Sequence, residues 1–233
     1  MRQLPLELGH RPSLAGDDFL VADSNRAAVA WLDSWPSWPA VGLAIYGPSG
    51  CGKTHIAHVW RGRSGAPLID PAGLAGADLP VLVAAAGAVA IDDIDPQLQP
   101  IAERPLLHLH NLLAERRGHL LICSRTPPAR WHVVLPDLAS RLAAMPAVAV
   151  EPPEDALLEA VMAKLFADRQ LAVGAEVIQY LGRRIERSFA AAREVVAALD
   201  RASLAARRRV TPALAREVLA GMGLSDEQPP GTD

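Results

Sequence analysis

An apolar run that breaks into a glycine-rich loop constrains this chain more than any other feature. Val41 to Tyr46 leads into Gly47-Pro48-Ser49-Gly50-Cys51-Gly52-Lys53-Thr54, with His55 next. The order matches the phosphate-loop pattern G-x-x-x-x-G-K-[ST], whose context is a strand before the loop and a helix after it. The glycines open backbone conformations closed to other residues, so successive N–H groups can turn inward on a phosphate chain. Lys53 then reaches the outer phosphates, and the Thr54 hydroxyl ligates Mg²⁺. Composition sharpens the signal: the chain has two lysines, Lys53 and Lys164, against 21 arginines. Lysine is kept here, where a compact charge on a flexible stem is wanted.

Around the loop the pattern alternates. Ser24 to Trp35 has helical periodicity, with Asp23 or Ser24 as the cap, and Pro36 and Pro39 end it. Val41–Tyr46 reads as a strand and Lys53–Trp60 as the helix after the loop. Pro67–Ile69 and Val89–Ile91 read as strands, the second ending in Asp92-Asp93. Pro105 to Arg117 reads as a helix with Pro105 in its first turn and Gly118 just past its end. His119–Cys123 and Ala147–Val150 read as the last strands. Strands alternating with helices predict a parallel sheet covered on both faces.

Beyond Glu151-Pro152-Pro153 only helical texture remains: Asp155–Arg169, Gly174–Arg184, Ser188–Arg207 and Thr211–Leu219, with Thr211-Pro212 a cap and first-turn pair. The expected organisation is a tail over 1–18, an α/β unit over 19–151, a helical unit over 152–223 and a second tail over 224–233.

Bulk properties exclude several classes. Half of the 233 residues are hydrophobic and 21% are charged, which is a globular composition. A net charge of −3 demands no nucleic-acid partner. Two cysteines, Cys51 and Cys123, are too few for a disulfide framework and suit a reducing cytoplasm. The N-terminus lacks a signal-peptide layout. The longest apolar stretch, Leu79 to Ile91, is too short for a bilayer span. The expectation is a soluble cytoplasmic protein.

Three further elements carry chemistry. Asp92 and Asp93 stand at the carboxyl end of an apolar strand, where parallel sheets place their ligands. Asp92 suits Mg²⁺, and Asp93 suits an attacking water. Arg141, in Leu135-Pro136-Asp137-Leu138-Ala139-Ser140-Arg141-Leu142, lies just before the last strand. It either stays on its own solvated face or projects to a neighbour's phosphate as an arginine finger. The tail residues Gln3, Leu4, Leu6 and Leu8, bent from helix by Pro5, suit an extended peptide that fills an apolar pocket.

These stretches resemble the AAA+ core of the bacterial replication initiator DnaA, and more closely the shorter DnaA-homologous regulators of the Hda type. The matching segments are 19–25, the loop with its trailing His55, Ile91-Asp92-Asp93, Leu106 to Asn111, Leu120 to Pro128, Leu135 to Leu142, and Asp200-Arg201-Ala202-Ser203. The resemblance implies an open five-stranded parallel sheet followed by an all-α lid. It implies ADP or ATP with Mg²⁺ bound by Gly47–His55, and Arg141 as a finger acting on the ATP of DnaA. It implies that Gln3–Leu8 docks on the DNA polymerase III sliding clamp, the β subunit. Only a short tail follows Gly223, so the helix-turn-helix module of DnaA is not expected, nor is sequence-specific DNA binding. Membrane association is not expected, and a homo-oligomer is left open.

The chain also departs from the family. Arg125, beside Ser124, aligns with an aspartate that senses the γ-phosphate. Ala190 aligns with the lid's sensor arginine, with Arg187 one turn before and Arg193 one turn after, and Arg187 is the preferred substitute. Both departures point to weak hydrolysis by the chain itself. Two alternatives stand beside the regulator: a stand-alone AAA+ ATPase such as a helicase loader, and a non-catalytic adaptor between clamp and DnaA.

Overall fold

Five short apolar runs pair into one parallel sheet. The computed structural model describes residues 20–94 and 100–224. The strands are β1 (Gly42–Tyr46), β2 (Leu68–Ile69), β3 (Ala88–Ile94), β4 (His119–Ser124) and β5 (Ala147–Ala149). Their spatial order is β2-β3-β4-β1-β5, all parallel. The chain leaves β1 towards β2 on one side and later returns to β5 on the other. The loop after β1 therefore stands at the point where the strand order reverses, which is where open α/β sheets hold ligands.

Strand residues alternate between two cores, which is why these strands read as unbroken apolar runs. On one face Leu43, Ile45, Ala90, Leu121 and Cys123 meet α1 (Arg26–Asp33) and α2 (Lys53–Ser64) through Leu32, Ile56 and Trp60. On the other, Ala44, Val89, Ile91, Leu120 and Ile122 meet α3 (Leu79–Ala86), α4 (Pro100–Glu115) and α5 (Pro136–Ala144) through Val83, Leu106, Leu109, Leu113 and Leu138.

Three local expectations need correction. Helix α1 is capped at Asn25, not Asp23 or Ser24, and the Asn25 amide is spent on Ala22 N–H and the Leu20 carbonyl. Helix α4 begins at Pro100, so Pro105 lies inside it and not in its first turn. The run Leu79–Ala86, read only as an apolar stretch, is helix α3, started by Asp78 accepting the Val81 N–H.

Described by itself, the unit from Pro153 onward is all helix. It contains α6 (Asp155–Asp168), α7 (Ala175–Gly182), α8 (Phe189–Ala206) and α9 (Pro212–Gly221) around a core of Leu158, Met162, Phe166, Val195, Leu199 and Leu214. Side-chain oxygens cap two of its helices: Ser188 accepts from Ala191 N–H at 3.1 Å and Thr211 from Leu214 N–H at 3.3 Å. No helix among the described residues is long and apolar enough to cross a membrane.

Candidate functional site

The loop between β1 and α2 is held by its neighbours before any ligand is considered. Gly47 N–H donates to the Ser124 carbonyl at 3.2 Å, and Val150 N–H donates to the Tyr46 carbonyl at 2.7 Å. The backbone is wedged here so closely that a Cβ on Gly47 would lie 2.1 Å from the Val150 carbonyl oxygen. Gly50 and Gly52 take φ values of 74° and 109°, in the region that favours glycine. Helix α2 then starts at Gly52 with no side chain capping it, as a helix does where its first amides are to meet an anion.

Lys53 is 7% exposed. Its ammonium donates to the carbonyls of Gly47 at 2.8 Å and Pro48 at 2.7 Å, so the charge is held inside the curve of the loop. The Cys51 side chain is buried beside it. Burial pushes the Cys51 thiol up, with Lys53 partly offsetting that, so Cys51 stays a thiol. Only its backbone is left to face a phosphate. Thr54 is exposed in the first turn of α2.

The acidic element stands two strands away at the same edge. Ile91 pairs with Ile122 but Ile94 with Ser124, so β3 carries one residue more than β4 over this step. Asp93 takes the extra turn, with φ 50°, a left-handed conformation that aspartate tolerates better than most residues. The bulge separates the two carboxylates. Asp92 is half-buried and meets the Cys123 thiol, which also approaches the Lys53 carbonyl at 3.7 Å. Burial pushes that thiol far up, the Asp92 charge adds to the rise and Lys53 opposes it, so Cys123 links the loop and the acidic strand as an inert neutral group. Asp93 is exposed and pairs with Arg125 just past β4, Nε to Oδ1 3.7 Å.

These donors fit a nucleotide and Mg²⁺. A lysine ammonium cradled by a glycine loop, one hydroxyl and one half-buried carboxylate are a donor set that leaves the remaining Mg²⁺ positions to phosphate and water. Among the described residues no cluster of three or more His, Cys, Asp or Glu forms an all-protein metal cage.

Arg141 sits in the last turn of α5. Its side chain is 34% exposed, and Nη2 lies 3.6 Å from Asp137 Oδ2. Its Nε is buried and has no hydrogen-bond partner. His110 on α4 is beside it: burial, then the Arg141 charge, lowers the His110 pKa, with Asp137 opposing. No sequence motif points to Glu103, whose buried carboxylate accepts the N–H groups of Val134 at 2.9 Å and Leu135 at 2.8 Å. The available signal was a charged residue on the stripe that Leu106, His110 and Leu113 continue at helical spacing.

In the helical unit, Arg187 is held by Asp155 of α6 through two contacts of 3.0 Å, and Arg193 is exposed on α8. Of the basic run 207–209, Arg207 ends α8 in a left-handed conformation and Arg208 pairs with Glu217 of α9 at 3.1 Å. Gln3, Leu4, Leu6 and Leu8 lie outside the described residues.

Comparison with known proteins follows the same division. Residues 155–219 match the family model described as "Hda, lid domain". Domain III of the DnaA replication initiation protein of Thermotoga maritima superposes with a TM-score of 0.75 at 18% identity, over 91% of this chain and 97% of that one. DnaA from Aquifex aeolicus bound to AMPPCP gives 0.60 at 18% identity, over 76% and 62%. The RuvB Holliday junction branch migration motor of Thermotoga maritima gives 0.64 at 15% identity, over 80% and 63%. Motors and initiators share this core, so the likeness carries the fold, and the helical segment carries the finer match. The chain has the AAA+ fold seen in DnaA domain III, and its residues 155–219 match the Hda lid domain.

Proposed function

We propose that this chain regulates the initiation of chromosomal replication in the bacterial cytoplasm by stimulating ATP hydrolysis in DnaA. Gly47–His55 hold an adenine nucleotide, as the AMPPCP complex of a similar DnaA supports, and ADP is the proposed working state. Lys53 neutralises the phosphates, while Thr54 and Asp92 complete the Mg²⁺ shell. Arg187 of the lid segment is the nucleotide-contacting arginine. Gln3, Leu4, Leu6 and Leu8 dock on the sliding clamp. Arg141 enters the partner's site and stabilises charge developing on the transferred phosphoryl group, an effect worth roughly 10³–10⁵ in rate in systems with such a finger.

One observation carries this reading: the two arginines near the chemistry are held by different carboxylates, Arg125 by one of the chain's own site and Arg141 by its helix neighbour Asp137. Arg125 is paired with Asp93, the carboxylate that would polarise water in the chain's own site. Arg141 is 34% exposed and makes a 3.6 Å contact to Asp137 through Nη2, so part of the guanidinium side chain remains open to an outside acceptor, while its buried Nε has no hydrogen-bond partner. A stand-alone ATPase is the second reading, favoured by the retention of Asp93 itself. One assay separates them: hydrolysis with DnaA–ATP, DNA-loaded clamp and this chain, each omitted in turn. Regulation requires all three. Substantial turnover by this chain alone supports the ATPase.

A further inference from the structure

Among the described residues of the α/β unit, Glu103 makes the most costly polar commitment outside the nucleotide loop. It is 1% exposed, and burying a carboxylate is unfavourable unless hydrogen bonds replace its water. Both oxygens are used: Oε1 accepts from Val134 N–H at 2.9 Å and Oε2 from Leu135 N–H at 2.8 Å. These are successive amides at the start of α5, whose cap residue Leu135 offers no side-chain bond of its own. In a capping box a glutamate of the same helix reaches back to the cap amide. Here the glutamate comes from α4, so it fixes one helix on another.

The other end of α5 carries Arg141, and α4 runs close to it there too. His110, seven residues beyond Glu103, falls on the same face of α4 and lies beside Arg141 and Asp137. Arg141 has few bonds of its own to set its direction, because Nε is partnerless and Nη2 lies 3.6 Å from Asp137. Its reach is then set by where α5 sits, and Glu103 sets that.

We propose that Glu103 is the positioning residue of Arg141: its two bonds to the start of α5 aim the guanidinium and thereby govern the maximal rate of the hydrolysis that Arg141 stimulates. The inference rests on the arginine-finger reading above. A misplacement of about 1 Å in a reacting constellation costs up to about 100-fold.

The test uses the full-length chain with DnaA–ATP and loaded clamp, titrated to saturation. Glu103→Gln keeps the shape but turns an NH₂ towards one of the two amide donors. The expected result is a maximal rate lower by about 10- to 100-fold, with an unchanged half-saturating concentration and unchanged nucleotide affinity. Glu103→Asp, which keeps the charge and shortens the reach, gives an intermediate maximal rate and carries the test if the glutamine variant does not fold. In an Arg141→Ala background, either change has no further effect. Wild-type maximal rates from both Glu103 variants, beside an inactive Arg141→Ala, overturn this inference alone. An added loss in the Arg141→Ala background overturns it as well. Full stimulation by Arg141→Ala overturns the finger reading and this inference with it.

Discussion

Gly47→Ala tests whether the nucleotide loop is held as tightly as its contacts indicate. The added Cβ would meet Val150 O at 2.1 Å and Cys51 Sγ at 3.1 Å. The nearer atom is backbone, so no rotamer change relieves the contact. Either the Val150–Tyr46 hydrogen bond of 2.7 Å or the Gly47–Ser124 bond of 3.2 Å must give way. Overpacking of this kind costs about 1–3 kcal/mol, and a lost backbone bond adds about 1 kcal/mol. For a unit of this size the sum lowers the melting midpoint by about 5–15 °C. Gly62→Ala is the matched control: it lies in α2 with nothing within 4 Å of the new Cβ, and it should stabilise by about 0.5–1 kcal/mol. Thermal unfolding followed by circular dichroism reads both variants. Nucleotide affinity should fall with Gly47→Ala and stay constant with Gly62→Ala. A Gly47→Ala protein as stable as wild type would show that the loop yields freely, and the account of a preformed phosphate cradle would be wrong.

Two further outcomes follow from the same geometry. Lys53→Ala removes a charge held at 2.8 and 2.7 Å from two loop carbonyls; ADP and ATP affinity, read by titration calorimetry, should drop by about 10- to 100-fold with the fold retained, and unchanged affinity would contradict the site. His110 binds its proton less readily when folded than at its ordinary value of 6.5, first because it is buried and then because Arg141 is near. The unfolded chain therefore takes up the extra proton first, and the contribution is intact above about 6.5 and lost as pH falls through the folded value. Denaturation midpoints measured across this range should fall more steeply for wild type than for His110→Gln; parallel curves would refute the assignment.

What could be read ahead of the structure depended on whether the signal was local. The strand, loop and helix at 41–64 follow from an apolar run, a glycine pattern and helical periodicity, all within a short window. Thr211-Pro212 likewise announces α9, because cap and first turn are adjacent residues. Leu79–Ala86 was not legible as a helix because it is apolar on every side, leaving no period to read, although Asp78 and Pro80 offered a start signal. Pro105 misled because proline marks helix starts more often than interiors. At the site, Lys53, Thr54 and Asp92 came from motifs. The bulge at Asp92-Asp93, the pairing of Asp93 with Arg125 and the clamp of Glu103 on α5 did not, because each joins segments far apart in sequence. No local pattern encodes such a junction.

The central claim is that this chain contributes its chemistry through Arg141 to another protein's ATP. The most direct measurement is the ATP hydrolysis rate of DnaA in the presence of loaded clamp, with wild-type chain against Arg141→Ala at saturating concentration. The account predicts that Arg141→Ala keeps nucleotide affinity and clamp binding while stimulation falls by roughly 10³-fold or more. Full stimulation by Arg141→Ala would contradict it.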